Sequence, residues 1–183
     1  LVGAVQRETT VSDLNMKPLA PPKTAVTGIV PRVKLPGQMT PVLTEPIMND
    51  SNELFYVKLR AEVDADYFRT GSGTLYLGFF LDPLHKAHWN NRAMPVVFEV
   101  ESTTGIIVAD DSGEGPDVQV DADADPREFL LDLCDVSIHE RHEPHEILIN
   151  VRYFACYDAE TFCKPVSQTY RITLERDRDG GSR

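Results

Sequence analysis

From about residue 40 onward the apolar residues of this chain recur with a period of two rather than 3.6, and no other feature constrains its fold as strongly. Phe55, Val57, Leu59, Ala61 and Val63 alternate with Tyr56, Lys58, Arg60 and Glu62, as in a strand with one buried face. Leu75, Leu77, Phe79 and Leu81 line one face of a second strand, and Val96, Phe98 and Val100 one face of a third. Phe129 to Val136 is a further candidate. Ile147, Ile149, Val151 and Tyr153 form another, and Tyr170, Ile172 and Leu174 alternate with Thr169, Arg171 and Thr173 in the last. Turn formers separate these runs at Gly71-Ser72-Gly73, Asp82-Pro83, Ser112 to Pro116 and Glu143-Pro144. No segment offers an amphipathic helix of about ten residues or more. The pattern predicts an all-β fold, an immunoglobulin-like antiparallel β-sandwich of roughly seven or more strands, over residues 39–176.

The chain before this region has a different character. Seven of the thirteen prolines precede residue 47, whereas all fifteen aromatics lie at or after Phe55. A proline-rich stretch without aromatics buries too little surface to offset its ordering entropy. Residues 1–38 therefore read as an extended arm without regular structure, available for docking on a protein partner, and residues 177–183 as a flexible tail. A length of 183 residues fits one core with such an appendage.

Charge narrows the partners. The formal net charge is -11 and the pI about 4.8, which argues against nucleic acid and against an anionic membrane surface. No run of about 18 apolar residues is present, so a membrane-inserted helix is not expected. Between Glu99 and Glu146 fifteen acidic residues face only Arg127 and Arg141, a local net of -13. Such a run reads as a solvated face, and a partner docking on it would be basic.

Three cysteines, Cys134, Cys156 and Cys163, are the first place to look for chemistry. Cys156 closes the strand that starts near Glu146, and Cys163 precedes the strand that starts near Val166. A hairpin bridge is thus geometrically available, either as a structural staple or as a bridge kept for exchange. The Cys-x6-Cys spacing fits neither the CxxC redox pattern nor the usual zinc spacings. Cys134, within Phe129-Leu-Leu-Asp-Leu-Cys134, reads as a small buried hydrophobe. His139, His142 and His145 have ligand chemistry, but Pro144 breaks any helix that would align them, so a solvated loop is expected over adventitious zinc or copper binding. His85 and His88, beside Trp89, read as packing residues. Asp121, Asp123 and Asp125 resemble a calcium loop, but Pro126 stands where the turn glycine belongs and no bidentate Glu follows. Phosphate loops, nucleophile elbows and metalloprotease motifs are missing from the sequence.

The stretch from Val151-Arg-Tyr-Phe-Ala-Cys156 through Thr161-Phe-Cys163-Lys-Pro165 to Tyr170-Arg-Ile-Thr-Leu174 resembles the last hairpin of the N-terminal periplasmic domain of the thiol:disulfide interchange reductase DsbD family. Leu75 to Pro83, then His85, His88-Trp89-Asn90-Asn91 and Pro95-Val-Val-Phe98, look like that family's histidine and tryptophan stretch. The family's shielding aromatic loop would fall between Phe98 and Phe129, where this chain has no aromatic residue.

The resemblance implies a sandwich outside the cytoplasm, in the bacterial periplasm or at the cell surface. There Cys156 and Cys163 would be bonded to each other and would relay electrons by exchange with a protein partner such as a thioredoxin-like domain, leaving Cys134 as a buried thiol. The other expectation is a non-catalytic binding or assembly module with a structural bridge, docking through residues 1–38. Neither calls for a cofactor or a metal.

Overall fold

The computed structural model describes residues 25–48, 54–102, 105–136, 144–157 and 163–178. The described residues form the strands β1 (Met39–Ile47), β2 (Val57–Asp64), β3 (Ser72–Leu81), β4 (Ala87–Asn90), β5 (Val97–Ser102), β6 (Ile106–Val108), β7 (Ser112–Glu114), β8 (Ala122–Asp123), β9 (Arg127–Asp135), β10 (Glu146–Tyr157) and β11 (Cys163–Arg176). One helical turn, α1 (Tyr67–Thr70), joins β2 to β3. Gly71 ends it with φ 72°, a left-handed conformation that glycine adopts without strain. No helix among the described residues is long and apolar enough to cross a membrane.

All the strand ladders are antiparallel, and the fold is all-β and sandwich-like. One layer runs β6-β9-β3-β2-β1. The other runs β1-β11-β10, with β5 and β4 sharing the far side of β10, β7 beyond β5, and β8 beyond β4. β1 belongs to both layers. Met39 to Pro41 pair with β2, and beyond a bulge at Val42/Leu43 the strand pairs with β11 as far as Ile47. A bulge bends a strand and lets it change partners.

The inward faces meet as the alternation requires. Phe79 of β3 and Phe129 of β9 pack on Phe98 of β5, with centroids 6.0 and 4.7 Å away. Trp89 of β4 stands edge-on to Tyr153 of β10 at 5.5 Å. Val57, Val63, Leu75, Leu77, Ile147, Ile149, Val151 and Ile172 are all at or below 1% exposure. Each such side chain contributes about 1.5–3 kcal/mol.

One expectation needs correction. The run from Ser112 to Pro116 is not simply a turn, because Ser112 to Glu114 form β7 against β5. Gly113 lies opposite Phe98, and a Cβ at that position would collide with the ring. Glycine is there for close approach rather than for a turn. The arm of residues 1–38 lies partly outside the described residues, and its described part, from residue 25, docks on its own chain. Val26 makes a parallel bridge to Asp123, and the following residues are gripped by two carboxylates described below.

Candidate functional site

Cys156 and Cys163 form a disulfide, as the resemblance implies. They are directly opposed in the β10–β11 ladder, with Cα atoms 4.2 Å apart, so the backbone alone brings the sulfurs together. On the other flank of β10, His88 of β4 is registered opposite Cys156. Residues opposite each other in a ladder project to the same face. His88, Cys156 and Cys163 are therefore one row across three strands, on the face turned away from the core.

The next rows along this face are Phe154 with Pro165, then Val97, Arg152 and Ser167. They line a groove of about 270 Å3 together with Met94 and Pro95. Its walls are mainly apolar, Met94 is 62% exposed, and Arg152, paired with Glu99 at 2.9 Å, supplies charge at the rim. The two sulfurs differ in access. Cys156 is fully buried, at 0% exposure, while Cys163 is half-buried. Of the two cysteines, only Cys163 keeps exposed surface.

The other sequence candidates fall elsewhere. Cys134 is a free thiol, half-buried rather than buried as expected, and Ser72 donates its hydroxyl to the sulfur at 3.5 Å. His85 stacks edge-on against Tyr56 at 5.2 Å, as a packing residue does. His139 and His142 lie outside the described residues. His145 is not in a solvated loop: it is 3% exposed, and its Nε2 lies 2.9 Å from Asp135 Oδ1. The Tyr67 hydroxyl donates to the other Asp135 oxygen at 3.1 Å. His145 lies two residues before the inward-facing Ile147, and its carbonyl accepts the Leu174 N–H at 2.8 Å, so it keeps the alternation of β10 and its ring turns inward. The described residues hold no group of three or more potential metal ligands.

The aspartates that resemble a calcium loop are occupied by protein groups. Asp123, fully buried, accepts two bonds from Arg127, at 2.9 and 2.7 Å, and one from Asn91 at 2.7 Å. Arg127 lies over the Trp89 ring at 5.1 Å, and the indole donates to the Asp125 carbonyl at 2.6 Å. Asp125 in turn accepts the backbone N–H groups of Gly28, Ile29 and Val30 at 2.7, 2.6 and 2.8 Å. Burial pushes the Asp125 carboxyl up, but those three N–H groups and Arg127 outweigh it and hold it below the ordinary 3.8. Glu128 receives Arg32 in a fork at 2.7 and 2.6 Å, Val33 N–H at 3.1 Å and the Tyr76 hydroxyl at 2.5 Å. Its burial is likewise outweighed, by Arg32, Tyr76 and Val33, and it sits below 4.5. Burial and the Glu128 carboxylate push the Tyr76 phenol up. The acidic run is therefore no uniform solvated face. Asp123, Asp125 and Asp135 point inward, and Glu128 is spent on the arm.

Sequence reasoning missed the placement of His88 beside Cys156. The residue was visible, but the four buried positions of β4 have no alternation that marks a strand. Comparison with family models, curated proteins and solved structures gave no match to this chain.

Proposed function

We propose that this chain is an extracytoplasmic thiol–disulfide exchange module that relays two electrons through Cys156 and Cys163, with a thioredoxin-like domain as partner. The observation that carries the reading is the asymmetry of the bridge: Cys163 is half-buried, two residues from Pro165 in the wall of an apolar groove, and Cys156 is fully buried. An incoming thiolate attacks Cys163 Sγ, the S–S bond breaks, and Cys156 leaves as the thiolate. The partner's second thiolate then displaces Cys163 from the mixed disulfide. Both cysteines end reduced, and the partner carries a new disulfide. The groove beside Cys163 gives the apolar rim of such a partner a seat, and the resemblance of the hairpin to the DsbD family supports the same role in the periplasm or at the cell surface.

The second reading, a structural bridge in a binding or assembly module, is favoured by the sealed Cys156. The two are separated by one experiment with a built-in control. Equilibration in a dithiothreitol series should place the pair above the roughly -300 mV typical of inert bridges. Reduced Cys156→Ala, which keeps the accessible sulfur, should trap a mixed disulfide with an oxidised thioredoxin-like domain, and Cys163→Ala should not. A pair that stays oxidised well below that potential and traps nothing in either variant overturns exchange and leaves the structural bridge.

A further inference from the structure

We infer that His88 is the positioning residue for the leaving sulfur: it stands beside Cys156 to stabilise the thiolate that forms when the bridge opens. The inference rests on the exchange reading and goes one step into its chemistry. Cys156 is the sulfur that must leave, because Cys163 is the one a partner reaches. A thiolate released at 0% exposure has no water to solvate it, and burial of an unpaired charge is strongly unfavourable. A neighbouring imidazole that holds or donates a proton removes that obstacle. The β4–β10 register places His88 directly opposite Cys156 on the same face, at 3% exposure.

Among the described residues, the neighbouring strands bring these side chains to the row. β11 contributes Cys163 to this row, and β10 contributes Arg152, four residues along the same face and paired with Glu99. The next same-face residue of β4 is Asn90, opposite Ala122 of β8. Asp123 of β8 belongs to the opposite face, where Arg127 holds it. Lys86 and His85 precede β4, and His85 is engaged with Tyr56.

When the partner thiolate bonds to Cys163 Sγ, the S–S electron pair goes to Cys156 Sγ. His88 either pairs with that charge as imidazolium or passes its proton to the sulfur, so nothing beyond the partner thiol is consumed. Faster departure follows, because exchange accelerates as the leaving thiol becomes more acidic.

The test uses the whole chain with Cys134→Ser, so that only the pair titrates. After phosphine reduction, ultraviolet thiolate absorbance at neutral pH should exceed that of an ordinary thiol, with its pKa of about 8.5. His88→Gln should lower that thiolate fraction and slow bridge opening by dithiothreitol, each roughly five- to tenfold. A second measurement needs no variant at position 88. In the wild-type chain the His88 imidazole NMR signals at neutral pH should differ between the oxidised and the reduced form, while those of His85 stay put. Unchanged thiolate absorbance in His88→Gln, or His88 signals indifferent to reduction, overturns the inference. A wild-type bridge that no thiol opens ends the exchange reading instead, while the titration of the phosphine-reduced chain still decides the role of His88.

Discussion

The arm clamp and the cysteine hairpin each hold two stretches of chain together, by opposite means. Asp125 and Glu128 fasten residues 28–33 to partners 95 to 97 positions away with charge-assisted bonds. The disulfide joins residues seven apart that the β10–β11 ladder has already set face to face. Closing so short a loop stabilises by about 2–3 kcal/mol in the chain-entropy model, and the ladder around it supplies much of that closure beforehand. The non-covalent device organises distant sequence, and the covalent one repeats a connection that exists. Redundancy of that kind turns attention from the bridge's strength to its chemistry.

The comparison can be broken at four points. The largest effect is expected at the platform under the arm. Asp123→Ala takes from the buried Arg127 the carboxylate of its ion pair and should lower stability by about 3–5 kcal/mol in a urea titration; a loss below about 1 kcal/mol would mean the platform is dispensable. Asp125→Ala leaves three N–H groups without their acceptor and should remove about 2–4 kcal/mol, with amide protection lost first at Gly28, Ile29 and Val30. Protection unchanged there would show that something else holds the arm.

Acid should imitate these variants. Both clamp carboxylates are held below their ordinary values of 3.8 and 4.5, so the folded state binds protons more weakly than the unfolded chain. Their contribution is complete above those values and is lost as pH falls through the lowered folded ones. Arm protection should therefore fade below about pH 4, and Glu128→Gln should flatten the part of that dependence due to Glu128. The smallest effect is expected at the bridge. A chain with both Cys156→Ala and Cys163→Ala should lose no more than about 2–3 kcal/mol and keep its strand spectrum. A collapse of the fold would make the disulfide the true staple and reverse the comparison.

The sequence disclosed the strands that alternate cleanly. β2, β3, β5, β9, β10 and β11 all contain the predicted apolar runs, because each presents one face to the core and the other away from it. It did not disclose β1, where Pro41 and Pro46 argue against a strand. β1 has a ladder partner on only one side at each position, and a strand with an open side tolerates proline. β7 was hidden behind Gly113, whose reason, the ring of Phe98, lies fifteen residues upstream. Charge was legible as a sum but not as a direction. Nothing local distinguishes Asp125, which faces the arm, from Asp121, which faces Arg92. The candidate site was half legible for the same reason: two cysteines at hairpin ends announce themselves, whereas a histidine 68 positions before Cys156 becomes their neighbour only through sheet register.

The divided pairing of β1 imposes an order on synthesis. Its first residues find β2 within the next hairpin, but the segment from Leu43 to Ile47 waits for β11, whose residues leave the ribosome long afterwards. Pairings so remote in sequence form slowly. Throughout that wait a half-satisfied strand offers its unbonded edge to any other chain nearby. Pro46, which has no N–H to donate, and the charge of Glu45 make that edge a poor template. Residues that disguise β1 in the sequence thus act as its guard while the nascent chain is incomplete.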